Sequence, residues 1–161
     1  MSNKEITLSF IHGKVRNLYY IKKQLNKKNA IRRTVMKKVI KTNLAPSAIG
    51  PYSQAIIAGS FLFISGQGAI DPDTQEYRPL SIKEETILAL QNLKGIVESA
   101  GSTMENVVKT TIFLQDMNDF NEFNEAYSSF FPSLPPARST IQAAKLPKGF
   151  KVEIEAIVLI S

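Results

Sequence analysis

The 161-residue chain is 43% hydrophobic, enough for one packed domain, and has no cysteine and one histidine, His12. Those absences exclude disulfides, thiolate metal sites and a cysteine nucleophile, and they exclude a histidine triad or multi-histidine metal site beyond the leader. The net charge of +6 is uneven: residues 1–43 hold twelve Lys/Arg against one acid, and residues 44–161 hold eight against thirteen.

The basic pI therefore describes residues 1–43, a basic N-terminal extension, and not the domain expected over residues 44–161. Three readings of the extension stay open. It has the acid-poor, basic composition of an organelle transit peptide, which would address a mitochondrion or other organelle. It also suits a solvated, disordered tail or an RNA-contacting arm on a cytosolic protein. No apolar run approaches the ~20 residues of a membrane span, so no membrane partner is expected.

After Leu44-Ala45-Pro46, strands over Tyr52–Ala58 and Phe61–Ser65 flank Gly59-Ser60, a two-residue hairpin turn with glycine first. Ser65-Gly66-Gln67-Gly68 ends the second strand. Its glycines suit either a bulge or the close approach of a neighbour or ligand. Asp71-Pro72-Asp73-Thr74 reads as a surface turn.

Ser81-Ile82-Lys83-Glu84 is a capping box opening a helix, and Gly101 is its stop. Ile82, Thr86, Ala89, Leu93, Ile96 and Ala100 mark one buried stripe. The β-branched run Val107–Leu114 predicts a strand. A second helix is expected from Asp119 to Phe131, capped by Asn118 and ended by Pro132. It carries an aromatic stripe of Phe120, Phe123, Tyr127 and Phe131, with Asn124 beside them.

Two last strands are expected over Ala137–Ala143 and Lys151–Ile160. The first carries Arg138, which with Arg78 makes the only two arginines after residue 43. A guanidinium entering a core-forming strand needs an acidic partner or a bound anion. On the last strand Glu153, Glu155, Ile157 and Leu159 share one face, polar at one end and apolar at the other. The order β-β-α-β-α-β-β argues an α+β sheet with two helices on one face. The other sheet face then needs a partner, which predicts oligomerisation.

Seven ordered segments resemble one family. They are Ala45–Gln54 (APSAIGPYSQ), Ser65-Gly66-Gln67, Val108-Lys109-Thr110-Thr111, Asn118-Asp119-Phe120, Pro136-Ala137-Arg138-Ser139, Leu146-Pro147-Lys148 and Val152–Ala156 (VEIEA). Residues 44–160 are similar to the Rid (reactive intermediate/imine deaminase) family, also called YjgF or L-PSP. The resemblance implies a chorismate-mutase-like fold assembled as a homotrimer, with sites in clefts between subunits and no cofactor or metal. It implies hydrolysis of 2-imino (enamine) acids, such as 2-iminobutanoate and 2-iminopropanoate, to 2-oxo acids and ammonia. By the same resemblance Arg138 would bind the substrate carboxylate and Glu153 would orient the attacking water. Tyr52 from a neighbouring subunit, the Ser65-Gly66 backbone, Asn124 and Thr140 would line the pocket. Many family members carry cysteine where this chain has Thr140, so no thiol chemistry carries over.

The other class of reading is an RNA-binding protein, endoribonuclease or translation inhibitor. The basic leader favours it; the acidic balance and missing histidine of residues 44–161 oppose it. A carboxylate-sensing trimer that keeps Arg138 as an anion site is a third.

Overall fold

The computed structural model describes residues 37–160; the transit-peptide and tail readings of residues 1–36 lie outside the described residues. One six-stranded sheet holds β1 (Lys38–Ile40), β2 (Ala55–Ala58), β3 (Phe61–Gln67), β4 (Val107–Leu114), β5 (Ala137–Gln142) and β6 (Val152–Leu159), in spatial order β1-β2-β3-β6-β4-β5. Helices α1 (Ile82–Ser99) and α2 (Phe120–Ser128) cover one face, as the α+β reading expected. Strand β1 was not anticipated. It pairs antiparallel with β2 from within the stretch assigned to the basic extension, so the sheet begins before residue 44.

The hairpin forms as read. Ala58 faces Phe61 across Gly59-Ser60, and Gly59 takes φ +63°, a conformation that suits glycine. All pairings are antiparallel except β4 with β5, which α2 joins as a crossover between parallel strands. Alternation sorts the sheet cleanly. Leu62, Ile64, Ile112, Leu114, Val152, Ile154, Ala156 and Val158 are buried under the helices. Phe61, Phe63 and Leu159 stay exposed on the open face.

Helix α1 starts where the capping box put it. Ser81 Oγ accepts from Glu84 N–H, and Glu84 Oε2 accepts from Ser81 N–H at 2.9 Å. Gly101 at φ +81° stops it. The α2 expectation needs correction at both ends. Asp116, not Asn118, supplies the side-chain cap, accepting from Asn118 N–H at 2.9 Å over a short 3₁₀ turn, Met117–Asp119. The helix ends at Ser128, and single turns carry the chain to Phe131. The aromatic stripe survives this shortening, with Tyr127 and Phe131 rings 4.7 Å apart.

Candidate active site

Glu153 projects from β6 onto the open face, half-buried, between fully buried Val152 and Ile154. Strand β3 bulges opposite it: Ile64 pairs with Ala156 and Gln67 with Ile154, so Ser65 and Gly66 together oppose the single Glu155. The bulge brings Gly66 against the carboxylate. A Cβ at residue 66 would overlap the side chain, 2.7 Å from Glu153 Cδ. The two sequence readings of the glycine pair are thus both realised, a bulge that serves a close approach. Burial holds the Glu153 carboxyl above the usual glutamate range, and the neighbouring Glu155 charge adds to the rise.

A cleft of about 380 Å³ opens beside this carboxylate, walled by Tyr52, Ser65, Gly66, Gly68, Lys148 and Phe150 among others. Ser65 Oγ donates to Ser53 O at 2.8 Å, tying the bulge to the Tyr52 segment. Tyr52 is half exposed, and its hydroxyl accepts from Ile49 N–H at 3.4 Å. Gln54, buried beneath, donates to Ala45 O and Pro46 O and accepts from Thr42 N–H, which pins the segment leading into β2.

Four expected residues, Tyr52, Ser65, Gly66 and Glu153, therefore line one cleft. Arg138, Asn124 and Thr140 do not. Arg138 pairs in register with Thr110, whose hydroxyl bonds the Tyr127 hydroxyl at 2.8 Å under α2. The arginine thus lies on the helix-covered face, two strands from Glu153 and on the opposite side of the sheet. Thr140 alternates onto the same side as Arg138. Asn124 stands on the α2 face that carries Phe120 and Tyr127, half-buried.

Of the acid or bound anion that its entry into a strand called for, no acid pairs with the guanidinium among the described residues. Its central carbon lies 4.7 Å from the Tyr127 ring centre, 5.4 Å from Phe123 and 5.6 Å from Phe120. Such stacking favours the cation while leaving its in-plane donors free. Among the described residues it makes no ion pair, and none of its nitrogens is buried without a partner. The aromatic stripe thus has a second use besides packing.

Sequence reasoning missed Gln54, Lys148 and Phe150 as parts of the cleft. Gln54 and Lys148 stood in the matched segments without a chemical signal of their own. Phe150 lies in an irregular loop where no periodicity exists to expose it.

Residues 42–160 match the family model described as endoribonuclease L-PSP. A RutC family protein of Pyrococcus horikoshii is 51% identical over 76% of this chain and 97% of its own length. A mouse protein named 2-iminobutanoate/2-iminopropanoate deaminase is 48% identical over 78% of this chain and 93% of its own. The E. coli protein TdcF, solved with bound serine, superposes at a TM-score of 0.74, with 44% identity, over 77% of this chain and 99% of that one. The chain belongs to the endoribonuclease L-PSP family, the Rid or YjgF family that its motifs resemble.

Proposed function

We propose that this protein hydrolyses 2-imino acids to 2-oxo acids and ammonia, in clefts completed between subunits. The observation that carries the reading is a half-buried carboxylate of raised proton affinity, facing a cleft across a bulged glycine. The deaminase named among its relatives supports the substrate class. Arg138 cannot reach that cleft within its own chain, so the arginine is supplied by a second copy. Its planar fork suits the substrate carboxylate.

The chemistry needs little else. Water adds to C2 of the protonated imine while Glu153 takes the proton that water releases, giving a carbinolamine. Glu153 then returns that proton to nitrogen, the C–N bond breaks, and the hydroxyl gives its proton to the departing ammonia, leaving the ketone and ammonium. General acid–base assistance of this kind is worth ~10²–10⁴-fold.

The test is 2-oxo acid release when a pyridoxal-phosphate threonine dehydratase generates 2-iminobutanoate and semicarbazide competes for it. Wild type should accelerate release, while Arg138→Ala and Glu153→Gln, assembled normally, should lose ~10²-fold or more. No acceleration by assembled wild type sinks the reading for this substrate.

A second reading, RNA binding, rests on the twelve basic residues of the leader. Salt-sensitive RNA binding that vanishes on removing residues 1–36, with no cleavage, would make it a tail property. The truncation must spare β1, which a cut at residue 43 would remove.

A further inference from the structure

Glu85 is fully buried on α1, and the proposed chemistry makes no use of it. Burying a carboxylate is costly unless donors surround it, and here they do. Its Oε2 accepts from Lys151 N–H at 2.8 Å; its Oε1 accepts from the Tyr77 hydroxyl at 2.8 Å and, weakly, from Leu80 N–H at 3.5 Å. Lys151 precedes Glu153 by two residues. The Tyr77 hydroxyl also has Gly149 O within reach as an acceptor, at 3.1 Å. The Tyr77 ring meets Phe150 edge to face at 4.9 Å, and the Phe150 ring fills the ground beside Gly68. Two turns along α1, Asn92 donates to Gly68 O and Ile70 O at 3.1 and 2.8 Å. The segments that wall the cleft thus hang from two polar side chains of a helix on the far face of the sheet.

The geometry points to Glu85 as a positioning residue of the cleft, holding the Lys148–Phe150 wall and the start of β6, from which Glu153 projects, through Lys151 N–H and Tyr77. Its kinetic consequences rest on the imine hydrolase reading above. The role is acceptance of hydrogen bonds and not charge. A glutamine at 85 can accept from Lys151 N–H with its oxygen and donate to the Tyr77 oxygen, while Tyr77 turns its proton to Gly149 O. An alanine leaves Lys151 N–H without its acceptor and Tyr77 with Gly149 O alone.

The experiment compares full-length, assembled wild type, Glu85→Gln, Glu85→Ala and Tyr77→Phe in the iminobutanoate assay. It also follows the carboxyl ¹³C titration of Glu153, a readout independent of turnover. Glu85→Ala should lower kcat ~10–100-fold with KM moved less than ~3-fold, as misplacement of a reacting group does. It should also shift the Glu153 titration toward the ordinary range as water enters. Glu85→Gln should restore both, and Tyr77→Phe should fall between. A Glu85→Ala protein that loses thermal stability but keeps kcat and the Glu153 titration overturns the inference, as does a Gln variant as damaged as Ala. If wild type turns over no imine, the deaminase reading falls and the titration alone decides. If Glu85→Ala does not fold, Tyr77→Phe decides: lowered kcat and a lowered Glu153 titration in a folded, assembled protein support the role, and unchanged values of both remove it.

Discussion

Gly66 shows how one residue can serve a site without a functional group. Its backbone is not in the left-handed region, so it is glycine for space alone, because the Glu153 side chain occupies the position a Cβ would take. Gly66→Ala should therefore push the carboxylate to another rotamer and cost activity as heavily as Glu153→Gln, while Tm moves little. A Tm loss of many degrees in thermal melts would contradict this. The proton affinity of Glu153 gives a second expectation. The carboxylate form must accept the proton from water, and burial raises its pKa, so kcat should fall on acidification at a pH above the usual glutamate range of ~4.3. A pH profile of wild type reads this directly. At this scale the sequence was partly legible: the residue types were visible, but nothing in the string placed the Arg138 guanidinium over three aromatic rings instead of beside an acid.

At the scale of elements, legibility followed local rules. The α1 capping box, the Gly59 turn and the β4 run were readable because each depends on residues within a few positions of one another. The parallel β4–β5 pairing and strand β1 depend on partners far along the chain, and β1 hid under a charge pattern typical of tails, while the β3 bulge was legible only as one of two uses of its glycines. The Tyr77 hydroxyl, bonded to Glu85 and to Gly149 O 72 residues on, is another such long-range feature, and it titrates. Burial and the adjacent Glu85 carboxylate lift the Tyr77 hydroxyl from 10.0 to about 12. A group raised on folding contributes stability that is whole below its unfolded pKa and is lost as pH rises through the folded one. The Tm advantage of wild type over Tyr77→Phe should hence hold below pH 10.0 and shrink towards pH 12, as melts across that range would show.

Across the whole molecule, one sheet face is covered by helices and the other shows Phe61, Phe63 and Leu159 to solvent, an apolar patch that assembly would bury. The expected trimer would also join the two halves of the cleft, which lie on opposite faces of each chain. Subunit mixing tests this without any new structure. Arg138→Ala and Glu153→Gln, each inactive alone, should regain about a quarter of wild-type activity when dissociated and reassembled together at equal amounts, because random assortment pairs intact Arg138 with intact Glu153 in that share of clefts. No recovery from demonstrably mixed assemblies would place both groups in one chain's own site. The opposite-face placement also bears on inheritance. In a trimer so built every chain serves two clefts, its glutamate in one and its arginine in the other. A single chain defective in both would silence two clefts of three, so one faulty gene copy could depress activity well beyond its own share of the protein.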